Sequence, residues 1–127
     1  METQTAAHGA RGLDKTRLGR CYQLAGEYTL EQAHCELVHG TIQQEPHPPN
    51  PHAWCEFEDG DGWLVWEPIG QDILPRAVFY TLFNAEEHNR YTPEVQFSWM
   101  EKTRNWGPWE GDYWNVDGDK AVKGAGR

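Results

Sequence analysis

The segment from His52 to Pro68, HAWCEFEDGDGWLVWEP, leaves this chain the fewest options for folding. Apolar and polar positions alternate with period two on both sides of DGDG, which predicts two antiparallel strands joined by a tight turn. An Asp-Gly turn supplies the positive φ angles that such hairpins need. With Asp59-Gly60 as the central pair, His52 lies directly across from Glu67; with Gly60-Asp61, the two are diagonal neighbours. Both registers put His52, Trp54, Val65 and Glu67 on one face. A carboxylate beside an imidazole fixes its tautomer and stabilises its protonated form, as in a catalytic base. The missing member is a nucleophile, for which Cys21 is the candidate.

The rest of the chain is read around that hairpin. Residues 1 to 12 are small and polar with nothing periodic to bury, which predicts a mobile arm. From Leu18, the apolar positions Leu18, Cys21, Tyr22, Ala25 and Tyr28 recur at helical spacing, although Gly19 and Gly26 weaken a long helix. A start at Gly19 or Arg20 places Cys21 in the first turn, where free backbone N–H groups and the positive dipole end stabilise a thiolate. Thr29 and Gln32 have capping-box spacing and predict a second short helix over 30–35. Residues 36–44, ELVHGTIQQ, read as a strand with Gly40 as a bulge. The proline-rich EPHPPNP, residues 45–51, reads as a stiff connection. Residues 75–87 fit either a buried strand or a helix, and the Pro75 start favours helix. Thr92-Pro93 and Gly107-Pro108 bracket a further helix over 93–104. Residues 115–127 have little to bury and read as a flexible tail, leaving one domain over 13–114.

Length and charge narrow the function classes. The chain has 127 residues, enough for one domain with a real core. Its 20 acidic and 11 basic residues give a net charge of −9, which opposes binding to nucleic acid or anionic membrane surfaces. No run approaches the roughly 20 apolar residues of a membrane span, and the first residues lack the apolar core of a signal peptide, so the expected location is cytoplasmic. Three cysteines without an export signal point to reduced thiols rather than disulfides. The seven tryptophans serve either as core filling or as a cleft wall.

Cys21, His52 and Glu67 occur in nucleophile, base, acid order. In GRCYQLA around Cys21, ELVHG in the next strand, HAWCEF at His52 and GWLVWEP ending on Glu67, the chain resembles the transglutaminase-like group of the papain-like cysteine hydrolase superfamily. The resemblance covers about residues 19–68. It implies an α+β fold in which a Cys-bearing helix packs on a small antiparallel sheet, with a C-terminal helix completing this chain. The group usually has Asp where this chain has Glu67; Asp59 and Asp61, both at the turn, are the other acids within range. The implied chemistry is acyl transfer on a peptide, protein or small amide, without a cofactor. Cys21 attacks the carbonyl, His52 moves the proton, Glu67 orients His52, and the Cys21 N–H is one oxyanion donor. Trp54 and Trp63 are then scaffold or substrate-facing cleft-wall residues.

Two other classes are open at this level. Cys35, His39, His52 and Cys55 make a C-x3-H and H-x2-C pair with the four N/S ligands of structural zinc, although Cys55 and His52 face opposite ways on a regular strand. Alternatively, the fold is kept without catalysis, as a binding module.

Overall fold

In the computed structural model, which describes residues 20–109, the alternating hairpin sits inside a larger antiparallel sheet. Its strands are β1 (Glu36–Ile42), β2 (Asn50–Glu58), β3 (Trp63–Glu67), β4 (Asp72–Pro75) and β5 (Glu86–Tyr91), in the order β4-β3-β2-β1-β5. Three helices accompany them: α1 (Cys21–Glu31), α2 (Arg76–Phe83) and α3 (Pro93–Thr103). The chain is thus α+β, with the Cys-bearing helix packed on an antiparallel sheet. The arm expected over 1–12 and the tail over 115–127 lie outside the described residues, as does Leu18.

The sheet separates two cores, as period-two alternation requires. Cys21 and Ala25 of α1 pack with Cys35, Leu37, Ala53, Cys55 and Tyr91 on one face. Phe79 of α2 packs with Val38, Trp54 and Val65 on the other. The β2–β3 pairing of Glu56 with Val65 and Glu58 with Trp63 centres the turn on Gly60-Asp61. Asp59 N–H closes it on the Gly62 carbonyl at 2.9 Å, and Gly60 takes φ 62°. This is the diagonal register: one step beyond the Cys55–Trp66 pair, Trp54 is across from Glu67 and His52 is its diagonal neighbour.

Several local expectations give way to tertiary packing. Residues 30–35 do not form a second helix; α1 runs through Thr29 to Glu31, and a turn leads into β1. Thr29 caps nothing, because its buried hydroxyl bonds back to the Gly26 carbonyl at 2.9 Å and meets Gln96 of α3. Gly26 stands in α1 because a side chain there would meet Trp106 at 2.7 Å. Strand β2 begins at Asn50, inside the segment expected to be irregular. The helix expected over 75–87 stops at Phe83, where Asn84 turns left-handed at φ 47°, and the EEH that follows opens β5. That strand gives no aliphatic alternation to read, since its most buried residue is Tyr91 and Arg90 reaches inward to carboxylates. The α3 start is as read, with the Thr92 hydroxyl accepting from Val95 N–H at 3.3 Å. At the expected bulge, the β1–β5 register shifts between His39 and Gly40. A Cβ on Gly40 would fall 2.0 Å from the Glu86 carbonyl oxygen, so β5 can approach only over a glycine.

His39 is fully buried beside Tyr22, Tyr91 and Trp109, with ring centroids 4.7, 5.1 and 5.2 Å away. Burial pushes its imidazole down to about 3. The unfolded chain therefore takes up a proton near pH 6.5 that the folded chain refuses, and stability declines as pH falls below that point. A urea-unfolding series from pH 6.5 to 5 should show a loss approaching about 1.4 kcal/mol per pH unit. His39→Leu should flatten this slope; an unchanged slope would mean that the ring is not held neutral.

Candidate functional site

The end of β1, the start of β2, the end of β3 and the tip of α1 converge on a cleft of about 520 Å³ that Cys21, His52 and Glu67 all line. Cys21 is the first residue of α1 and 7% exposed, while His52 is 5% exposed. The helix cap residue, Arg20, makes no side-chain capping bond, so the dipole end beside the thiol carries no competing cap.

His52 Nε2 bonds Glu67 Oε2 at 2.8 Å. A nitrogen facing a carboxylate carries the hydrogen, which leaves Nδ1 as the ring nitrogen available to Cys21. Burial alone would lower the imidazole; interaction with the Cys21 thiol and with Glu67 overrides it and raises His52 to about 9. Glu67 is held from its other side by the backbone: Ile69 N–H donates to Oε2 at 3.1 Å and Gly70 N–H to Oε1 at 2.6 Å. Burial would raise its carboxyl, but the bond and charge of His52 and these two N–H groups bring it below the usual range. The longer side chain of Glu suits this geometry, because a diagonal pair across a hairpin is wider than a directly opposed one. Asp59 and Asp61 lie at the far end of the hairpin, in the turn.

The two pKa directions also set the pH limits of the pair. His52 contributes stability in full below its unfolded value near 6.5 and loses that contribution as pH rises towards 9. Glu67 contributes above the ordinary carboxylate range and loses its contribution on acidification.

The other thiols are different. Cys35 and Cys55 are fully buried; burial pushes Cys35 up to about 11 and Cys55 well above the ordinary thiol range. Cys55 Sγ donates to the Ala25 carbonyl at 3.1 Å. All three cysteines are free thiols.

The zinc alternative does not assemble. Cys35 and Cys55 lie in the core under α1, His39 in its aromatic surround, and His52 Nε2 is taken by Glu67. Among the described residues, no group of three or more His, Cys, Asp or Glu side chains is placed to share a metal ion.

Nor do the two candidate cleft tryptophans reach the cleft. Trp54 is fully buried against Phe79 and Tyr80, with ring centroids 5.0 and 5.8 Å away. Trp63 lies towards the far end of β3, where the Arg76 guanidinium stands 4.9 Å over its ring. The walls instead come from residues that sequence reasoning passed over: Ile42, Ile69 and Phe83 as apolar surface, with Gln44 and Asn50 offering amide side chains. Gln44 precedes the proline-rich connection and Asn50 lies near its end, where β2 starts, and that position is the one signal that could have found them.

No family model, curated protein or solved structure matches the chain. Among the described residues, no helix is long and apolar enough to cross a membrane.

Proposed function

We propose that this chain is a small transglutaminase-like cysteine hydrolase or acyltransferase with a papain-like core, acting on an amide or related acyl substrate. The observation that carries the reading is the imidazole of His52 bonded to a backbone-anchored carboxylate in a cleft that the thiol at the tip of α1 also lines.

The steps follow from that arrangement. Cys21 reacts as the thiolate of a thiolate–imidazolium pair in which His52, raised to about 9, carries a proton on both ring nitrogens, and the thiolate attacks the substrate carbonyl carbon. The negative charge that develops on the carbonyl oxygen is met by the N-terminal N–H groups of α1, with that of Cys21 the nearest in sequence. As the C–N bond breaks, imidazolium protonates the leaving amine, and a thioester to Cys21 remains. Water then attacks the thioester with His52 as base, releasing the acid; an amine in place of water gives amide exchange. Glu67 keeps the proton on Nε2 throughout and stabilises the imidazolium. Among the described residues, the cleft lining contains no Lys or Arg, which suits an uncharged acyl group better than one bearing carboxylate or phosphate.

The test is thiol reactivity. At pH 7, iodoacetamide should label Cys21 at least about tenfold faster than Cys35 and Cys55, as read by peptide mass spectrometry. A thioester-forming probe such as an activated amide should be captured at Cys21 alone. Equal, slow labelling of all three thiols with no capture would remove the enzyme reading and leave a binding module on the same scaffold.

A further inference from the structure

Two residues beyond His52 on the same strand face, β2 carries Trp54, and two beyond that it carries Glu56. Glu56 is fully buried, yet its carboxylate is saturated. It accepts from Trp54 Nε1–H at 2.9 Å, the Tyr80 hydroxyl at 2.6 Å, Arg90 at 2.9 Å and Arg76 at 3.3 Å. Arg90 is itself fixed by Glu36 at 2.8 Å and Glu87 at 2.7 Å. A buried carboxylate with this many donors cannot rotate without stranding several of them, so the indole it binds is held at one angle.

The indole is constrained at its other end too. Trp54 Cη2 lies 2.9 Å from where a Gly40 Cβ would stand, and Gly40 pairs with His52 across β1 and β2. The six-membered edge of the indole thus reaches the backbone directly opposite His52. The two rings lie 29° from parallel with centroids 6.1 Å apart, within the range of interacting aromatic rings.

We infer that Trp54 is a positioning residue for His52: an indole set by Glu56 and admitted by Gly40 backs the imidazole, so the ring can meet Glu67 and Cys21 together. The Glu67 bond fixes one ring nitrogen, and an indole behind the imidazole face limits how far the ring can tilt about that bond. The functional meaning of this inference rests on the acyl-transfer reading, but its physical content is the orientation of one imidazole.

NMR titration of the His52 ring and the rate of Cys21 alkylation test it, in Trp54→Leu, the milder Trp54→Phe, and a Gln96→Leu control. Gln96 is fully buried and bonds the Gly26 carbonyl at 2.9 Å, away from the cleft, so its loss matches the general destabilisation without touching the imidazole. In both Trp54 variants the His52 midpoint should move down from about 9 by about 1 or more. Cys21 alkylation at pH 7 should slow by about fivefold to fiftyfold. Gln96→Leu should lower the melting temperature while leaving both readouts at wild-type values. An unchanged midpoint in folded Trp54→Phe, or an equal change in Gln96→Leu, would reduce Trp54 to ordinary core packing. If the wild-type chain captures no acyl probe but the midpoint still moves in Trp54→Phe, the acyl-transfer reading fails and the positioning role stands. If capture occurs and the midpoint stays, only the positioning role is lost.

Discussion

A Cys21→Ala chain is expected to capture no acyl probe at all, while its melting temperature changes by only a few degrees. The two effects separate because the sulfur has unequal parts in chemistry and packing. As nucleophile it has no substitute: Cys35 and Cys55 are enclosed and held protonated by burial. As a packing group it is one small side chain at the first residue of α1, so its truncation costs about 1 kcal/mol. The same variant should lower the His52 titration midpoint, because the thiol is one of the two groups that raise it. Mass spectrometry after probe treatment, with a thermal melt on the same sample, reads both effects. Residual capture in Cys21→Ala would show that the nucleophile lies elsewhere.

Glu67→Gln should slow acyl capture by about 10²- to 10⁴-fold without unfolding the chain. The reason is more specific than loss of charge. The carboxylate presents Oε1 to Gly70 N–H and Oε2 to both Ile69 N–H and His52 Nε2. An amide in its place has only one oxygen. With its oxygen on Gly70 N–H, the amide strands Ile69 N–H and turns NH2 towards His52, so Nε2 must accept and the ring proton moves to Nδ1. With its oxygen on Ile69 N–H and His52, it strands Gly70 N–H and removes the charge that stabilises the imidazolium. His52 should also titrate lower, since the carboxylate that raises it is gone. Probe-capture kinetics and an imidazole NMR titration measure the two effects. A Glu67→Gln chain with wild-type kinetics would show that the carboxylate has no part in holding the base.

The hairpin, the helix beginning beside Cys21 and the helix at Pro93 were legible because each is specified locally, by strict alternation, by apolar spacing and by a Thr-Pro start. The His52–Glu67 contact followed from the same alternation, since either turn register keeps both on one face. Where the reading failed, the deciding interaction was distant in sequence. Thr29 looks like a cap until Gln96 from α3 arrives at its hydroxyl. Residues 86 and 87 read as the end of a helix, and 88–91 give no strand pattern, because the inward positions of this strand are an arginine and a tyrosine, whose partners lie on β1 and β2. Trp54 reads equally as scaffold or cleft wall from the sequence, because only the arrival of Phe79 and Tyr80 from α2 encloses it in the core and away from the cleft. The cleft walls were illegible for the same reason, assembled from the ends of elements that no single pattern links.

The enclosure of Cys35 and Cys55 has a practical consequence. A molecule in its native state offers a modifying reagent one sulfur near a surface cleft, and an unravelled molecule offers three. The number of tags each molecule acquires in a brief pulse therefore sorts a population into intact and opened chains. Any damaging replacement elsewhere in the sequence can be ranked by that tally, with no ligand and no activity assay.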